Sequence, residues 1–358
     1  MRHFTLALMA AVATLVVIAS TATRGVRPGD NSSSLATVLD TLAHRASQRA
    51  EFTTRFRWAT YRVAPGAELV QDPSHLAEPA AWYEFHKNGR RMAISRTLLD
   101  ANDQGVETSL AVFDESASHV LNIKPDGSTT AAIRPERSRI YSIPRFRTLL
   151  EDQTVDYDSG LLSFLTAPEV TVHEVVATDQ MFVVRATQSI DPAHGDGDRC
   201  EATVTLDRHR GNVPIIIDLT TEFRSPREQQ PKPITHRVSN VALAQADGHW
   251  YIQRAHLSVY NPNVSPNTFV SVFEAESFLL NDGVDAGYYS SIDLPEGTGV
   301  YNGFLGFGYQ VGQKYITRNN AAVIISAPIT GFETIEELEA LADHGVPAAS
   351  IEASKPAP

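Results

Sequence analysis

Residues 51–63, EFTTRFRWATYRV, decide the fold. Their side chains alternate, because Phe52, Phe56, Trp58 and Thr60 occupy even positions while charged residues interrupt the odd ones. A period of two places alternate side chains on opposite faces of an extended chain. The stretch therefore predicts a long β-strand with one aromatic face.

A helical period precedes this strand. Apolar residues recur three or four positions apart behind a serine that can cap the first turn, and the set is Ser34, Leu35, Val38, Leu39, Leu42 and Ala46. This spacing predicts an amphipathic helix of roughly four turns. The chain thus opens with one helix that leads into a series of strands.

Strand-like runs with turn residues between them continue from this point to residue 279. The clearest turn contains Asn88-Gly89, a dipeptide that strongly favours a β-hairpin. A helical insertion is expected over Ile143–Leu165. The predicted strands are Ala81–His86, Arg91–Leu98, Thr108–Asp114, His119–Ile123, Ser128–Ile133, Val170–Val176, Met181–Thr187, Cys200–Leu206, Val213–Phe223, Thr235–Ala244, His249–Tyr260 and Thr268–Leu279.

About a dozen antiparallel strands behind a single helix predict a mainly β (α+β) fold. We expect a strongly curved antiparallel sheet or half-open β-barrel over residues 34–281. A barrel of this size does not fill its own interior, so the leading helix is the natural plug. Residues 282–330 are rich in glycine and aromatic residues and predict a β appendage of bent segments. Residues 331–358 predict a short acidic helix and a disordered tail.

The first residues have the composition of a secretory signal peptide. Met1–Ala22 combines a basic start, the uncharged run Phe4–Ala19 and small residues before a cleavage site after Ala22. The alternative is a transmembrane anchor, but the run is shorter than the ~20 residues that span hydrocarbon. We expect a periplasmic protein that is soluble after cleavage, with a flexible leader over residues 23–33 and no integral membrane segment.

The charge and the cysteine content limit the partners. The formal net charge of −12 disfavours nucleic acid and anionic lipid surfaces. Cys200 is the only cysteine, so no intramolecular disulfide is available. We interpret Cys200 as a half-buried strand residue, the alternative being a reactive thiol or the link of a disulfide dimer.

No motif predicts catalysis, a cofactor or a metal site. Residues 191–198, DPAHGDGD, could surround a cation such as Ca²⁺, but their spacing fits no established loop and a solvated turn is favoured. The acidic pairs at 151–152 and 156/158 are typical of helix capping. Nucleophile elbows and paired-histidine metal motifs are absent from the sequence. We therefore expect a non-enzyme, and a hydrolase whose triad is assembled by the fold is a weaker third possibility.

Three segments carry a family resemblance. They are the helix Leu35–Leu39 followed by Phe52–Trp58, the strand–turn–strand Leu206–Pro214, and the Gly–x–Trp hairpin in Asp247–Ile252. Over about residues 33–280 the chain resembles the periplasmic lipoprotein-carrier family of Gram-negative bacteria, which has the LolA/LolB-like fold. The resemblance implies a half-barrel closed by helices, an apolar ligand cavity, and lipid, lipidated protein or another envelope protein as partner.

The candidate binding residues are aromatic. Phe56 and Trp58 share one face of the first strand, and Tyr83 and Phe85 share a face of the next. If these faces point inward, they line a cavity suited to acyl chains. Otherwise they pack beneath the leading helix as ordinary core, and both alternatives stay open.

Two functions are compatible with these observations. The first is an exported, non-enzymatic carrier or binding protein for lipid or lipidated protein, which holds acyl chains in the apolar half-barrel cavity. The second is an exported interaction or scaffold protein whose contact surface is the C-terminal segment from residue 282 onward.

Overall fold

The computed structural model describes residues 31–48, 51–89, 91–113, 117–134, 161–189, 199–222, 232–280, 292–318, 321–331 and 333–347. The predicted signal peptide, most of the leader, the loop 191–198, the acidic pairs at 151–158 and the C-terminal tail lie outside these residues. The described helices are α1 Asn31–Gln48, α2 Leu161–Thr166 and α3 Ile335–Asp343, with 3₁₀ turns at Pro73–His75 and Arg208–Arg210.

The described strands reproduce the predicted series with shifts of a few residues at their ends. They are β1 Glu51–Val63, β2 Ala81–Asn88, β3 Arg91–Leu99, β4 Gly105–Phe113, β5 Ser118–Ile123, β6 Thr129–Arg134, β7 Val170–Ala177, β8 Met181–Ser189, β9 Arg199–Asp207, β10 Val213–Glu222, β11 Ile234–Ala246, β12 His249–Tyr260, β13 Thr268–Leu280, β14 Gly299–Asn302, β15 Phe307–Gln310, β16 Tyr315–Arg318, β17 Ala321–Ile324 and β18 Val346–Pro347.

The chain divides into two compact units. The first unit contains α1, the residues of β1 from Arg57 onward, α2, and β7 to β13 as far as Phe278. The second unit contains β1 up to Phe56, β2 to β6, β14 to β18 and α3. The segment predicted as an appendage thus shares a unit with β2 to β6, which the sequence analysis assigned to the barrel.

The sheet of the first unit is antiparallel, with β7 to β13 paired in chain order. One row of apolar side chains crosses it in register, and its members are 1–7% exposed: Val175, Val184, Val204, Ile217, Val238 and Leu257. The opposite face carries ion pairs such as Arg185–Glu174 at 2.6 Å and Arg254–Glu274 at 3.3 Å. This division of apolar and charged faces is the period-two pattern of the sequence.

The predicted leading helix is confirmed as α1, which packs against β7 and α2. Its buried face contains Val38 and Leu42, which are at most 1% exposed. Arg45 is 8% exposed and donates from Nη1 to the Gly211 carbonyl oxygen at 3.2 Å. The apolar spacing seen in the sequence is therefore the face that fixes the helix to the first unit.

The second unit joins two strand groups through a parallel pair. β2 to β6 are antiparallel in chain order, β14 runs parallel to β6, and β14 to β18 are antiparallel again. Gly308 permits the close approach of β15 to β14, since a Cβ there would lie 3.3 Å from the Val300 carbonyl oxygen. Within the segment predicted as bent, residues 303–306 form a turn between the paired strands β14 and β15.

This unit has its own core, and α3 covers part of it. A capping box between Thr334 and Glu337 begins the predicted acidic helix. The buried core residues are Leu121, Ala131, Val300, Phe307, Tyr309, Val311, Ile316, Ile325, Ile329, Leu338 and Ala342. Residues from both strand groups are in this set, so the C-terminal segment is structurally part of the second unit.

The mainly β, mostly antiparallel architecture is confirmed, but the strong curvature is not. In neither unit is the sheet closed or strongly curled. Large open sheets either curl, split or flatten. Each of the two units buries apolar side chains of its own in the described residues.

Candidate functional site

Three of the four predicted aromatic residues come together in the second unit. The rings of Phe56 and Tyr83 stack with centroids 5.0 Å apart and an interplanar angle of 8°. Phe85 meets Phe52 edge to face at 5.4 Å. All four side chains are at most 4% exposed. The predicted pairing of the two strand faces therefore produces a compact aromatic cluster.

Trp58 belongs to the first unit, where hydrogen bonds fix its ring. Its Nε1 donates to Thr60 Oγ1 at 3.1 Å, and Thr60 Oγ1 lies 2.9 Å from Glu78 Oε1 and 3.0 Å from Ser271 Oγ. A hydroxyl has one proton and two lone pairs. Thr60 therefore donates to the Glu78 carboxylate and accepts from both Trp58 and Ser271, which satisfies every group in the cluster.

A histidine contacts a buried hydroxyl on the opposite face of β2. His86 Nδ1 lies 2.8 Å from Thr53 Oγ1, and His86 Nε2 lies 3.4 Å from Glu84 Oε1. A catalytic hydroxyl must reach its substrate and needs oxyanion donors beside it. Thr53 is 7% exposed and lies near the start of β1. The arrangement therefore satisfies a buried imidazole rather than assembling a hydrolytic site.

A polar row crosses the face that carries the aromatic cluster. Tyr83, Arg96, Ser109, Asn122 and Thr130 stand directly opposite one another on β2 to β6. Directly opposite residues of antiparallel strands project to the same side. We call this side of the second unit's sheet, defined by these five residues, the Tyr83 face.

Sequence analysis missed Arg96. A charged residue in an alternating strand is usually assigned to the solvent side, and no motif contains it. The signal lay in the hairpin: the Gly89 turn, with φ +57°, fixes the register that places Arg96 opposite Tyr83. The hairpin itself is confirmed.

An apolar row runs beside the polar one on the Tyr83 face. Phe85, Ile94 and Ala111 are 1–3% exposed, the following Val120 and Ala132 are half-buried, and Tyr301 is 51% exposed. The register of β2 to β6 and of β14 aligns the six residues in that order. The row is therefore buried at the aromatic cluster, which we call its closed end, and exposed to solvent at β14, which we call its open end.

Other candidate chemistry finds little support in the described residues. Within them, no group of three or more His, Cys, Asp or Glu side chains could hold a metal ion. Cys200 is 7% exposed, and burial raises the pKa of its thiol, which disfavours a reactive thiolate. Among the same residues, none of the helices combines the length and apolar character needed to cross a membrane.

The chain has remote similarity to solved structures. A LolA superfamily protein from Nitrosomonas europaea matches with a TM-score of 0.40 and 13% identity, over 71% of this chain and 96% of that chain. MucB, in complex with MucA(peri), matches with a TM-score of 0.16 and 12% identity, over 68% of this chain and 98% of that chain. Neither a family model nor a curated protein matches the chain.

Proposed function

We propose that this chain is an exported, non-enzymatic carrier or binding protein for lipid or lipidated protein, which holds an acyl chain on the Tyr83 face. The observation that supports this proposal is the apolar row from Phe85 to Tyr301. It crosses six strands without a charged residue and has one open end. Strands stand about 4.8 Å apart, so the row spans roughly 24 Å.

The two apolar rows of the molecule differ in exposure. In the first unit, the row from Val175 to Leu257 is at most 7% exposed throughout and behaves as core. In the second unit, exposure rises along the row from 1% at Phe85 to 51% at Tyr301. An acyl chain gains most where apolar surface is still in contact with water. The second unit therefore holds the proposed site.

The predicted residues have different roles in this proposal. Phe56, Tyr83 and Phe85 form the closed end of the site, where they serve both as core and as the wall that an acyl chain would meet. Trp58 is held in the first unit by Thr60 and is assigned to core. The half-barrel cavity expected from the sequence is here replaced by an apolar strip on an open sheet.

Binding of an uncharged acyl probe tests this proposal. Native mass spectrometry of the mature chain, after lipid extraction and incubation with hexadecanol, should show a saturable complex. Val120→Trp adds bulk at the open half of the row and should weaken binding roughly tenfold or more. Val183→Trp makes the same change at a half-buried valine of β8 in the first unit and should leave binding unchanged. Absence of a saturable complex with the unaltered chain would contradict the proposal.

A second candidate function is an exported interaction protein that uses its C-terminal segment. Tyr301, Tyr315 and Ile324 are 37–51% exposed on the same face of β14, β16 and β17. Deleting the segment is not a clean test, because it contributes to the core of the second unit. Tyr315→Ser combined with Ile324→Ser changes only this surface. It should remove cross-linked envelope partners while leaving hexadecanol binding intact, and an unchanged set of cross-links would argue against this function.

A further inference from the structure

The guanidinium group of Arg96 has no carboxylate partner among the described residues. Its Nε is buried and has no hydrogen-bond partner. Among the described residues, no hydrogen bond, ion pair or ring contact involves its guanidinium group. The Arg96 side chain as a whole is half-buried, but a buried polar atom without a hydrogen-bond partner is costly. The position therefore calls for an acceptor that the described part of the chain does not supply.

The polar row contains a second group of unused donors. Ser109 Oγ donates to Asn122 Oδ1 at 2.8 Å. The amide oxygen is thereby occupied, while the two hydrogens on Asn122 Nδ2 have no acceptor among the described residues. Arg96 and Asn122 stand two strands apart in register, roughly 10 Å between Cα atoms. The long Arg96 side chain and one bound group can bridge that gap.

The carboxylate of Glu107 is on the same face but does not pair with Arg96. Glu107 lies two residues before Ser109 on β4, so its side chain projects to the Tyr83 face. It forms no ion pair with Arg96 within the described residues. Both donor groups therefore remain available to an external oxyanion.

The unused donors lie beside the apolar row. Ile94 precedes Arg96 by two residues on β3, and Val120 precedes Asn122 by two on β5. In a strand, residues two apart are neighbours on one face. A ligand that satisfied the donors would therefore have its charged group next to the half-buried apolar surface. This is the arrangement of an anionic amphiphile.

We propose that Arg96 and the Asn122 amide bind the oxyanion of an acyl amphiphile, a carboxylate or a phosphate, whose chain lies along the apolar row. The inference rests on the proposed function and names the ligand class of that site. A planar guanidinium matches both oxyanions through paired hydrogen bonds. The formal net charge of −12 repels extended anionic surfaces, but a contact at Arg96 acts within a few ångströms and is less screened.

Three ligands with the same chain length distinguish the contribution of the headgroup to binding from that of the chain. Palmitate, hexadecyl phosphate and hexadecanol are titrated into the mature protein and the complexes are quantified by native mass spectrometry. The unaltered chain should bind the two anions roughly tenfold or more tightly than the alcohol, the range of one charged hydrogen-bonding site. The comparison of palmitate with hexadecyl phosphate identifies which oxyanion is preferred.

Arg96→Met should abolish the preference for anions, so that palmitate and hexadecyl phosphate bind no more tightly than hexadecanol. Arg237→Met is the matched control, because Arg237 is an exposed arginine in the first unit that pairs with Asp218 at 3.5 Å. It should keep the preference. Asn122→Leu should reduce the preference severalfold, and this second variant keeps the test decisive if Arg96→Met folds poorly.

Thermal stability provides a readout that a structural arginine would not give. Since Arg96 has no partner among the described residues, Arg96→Met should leave the melting temperature of the free protein unchanged or raise it. Palmitate should then raise the melting temperature of the unaltered chain more than that of the variant, whereas hexadecanol should raise both to a similar extent. Equal binding of all three ligands, or a preference that survives in Arg96→Met, would overturn the inference alone. Failure of hexadecanol to bind would overturn the proposed function with it.

Discussion

Replacing Thr60 by valine should release the hydrogen bonds that hold Trp58 in the first unit. Thr60 Oγ1 contacts Trp58 Nε1 at 3.1 Å, Ser271 Oγ at 3.0 Å and Glu78 Oε1 at 2.9 Å. Valine has nearly the same shape but no hydroxyl. The indole N–H and the serine hydroxyl, which belong to residues 6% and 8% exposed, then lose their acceptor.

The expected loss of stability follows from the polar groups that Thr60→Val leaves without a hydrogen bond. A buried donor without an acceptor costs about 1–3 kcal/mol, and the lost serine hydrogen bond adds about 1 kcal/mol. We expect Thr60→Val to lower the free energy of unfolding of the first unit by about 2–4 kcal/mol. At a typical urea dependence, this moves the unfolding midpoint down by roughly 1–2 M.

The assay is urea unfolding followed by tryptophan fluorescence in a Trp82→Phe background. Trp82 lies on β2 in the second unit, so the remaining signal reports on Trp58 and Trp250 in the first. Thr60→Ser retains the hydroxyl and is the control, with an expected loss of about 1 kcal/mol from one methyl group. The two midpoints should therefore differ by roughly 0.5–1.5 M urea. If they differ by less than about 0.2 M, the hydrogen-bonding account of Trp58 is refuted.

Three further predictions concern single residues. Gly312→Ala should destabilise the second unit by about 1–3 kcal/mol, because Gly312 has φ +85° and a Cβ would lie 2.8 Å from Glu296 Cγ. Gly299→Ala, with open space at that position, should be near neutral. Both variants are compared by urea unfolding of the chain that retains Trp82, the tryptophan of the second unit. Burial raises the pKa of Tyr309 from 10.0 to about 12. The folded state thus binds this proton more tightly, so its contribution to stability is complete below pH 10 and is lost as the pH rises to about 12; Tyr309→Phe should move base-induced unfolding, followed by circular dichroism, to higher pH. Cys200 should react with iodoacetamide at least ~10-fold more slowly in the native protein than in urea, and rapid native alkylation would contradict its burial.

Local patterns in the sequence predicted the strands well. The alternation in residues 249–260 predicted β12 with its observed bounds, and the Asn88-Gly89 turn predicted the β2–β3 hairpin. Such features depend on neighbours within a few residues. The parallel pairing of β6 with β14 does not, because it joins Thr130 to Gly299 across about half of the chain. The division into two units and the absence of strong curvature follow from this long-range pairing and could not be predicted from local periodicity.

The candidate site was predictable only in part. Parity along the strands placed Phe56 and Tyr83 on faces that meet, and their rings stack. Trp58 has the same parity as Phe56, but the unit boundary falls between them. To predict Arg96 as a site residue, one would need the register of the hairpin and the fact that no described side chain pairs with it. Periodicity indicates to which side of a strand a residue projects, whereas the partners of a half-buried charge depend on the complete fold.

Photo-cross-linking with a diazirine derivative of hexadecanol tests the central claim most directly. The probe carries no charge, so it tests the apolar row independently of Arg96. The account predicts saturable labelling, mapped by peptide mass spectrometry, at Val120, Ala132 and Tyr301, which form the open half of the row. It further predicts that unlabelled hexadecanol competes for these positions. Labelling confined to the first unit, or labelling that no excess of hexadecanol suppresses, would contradict the account.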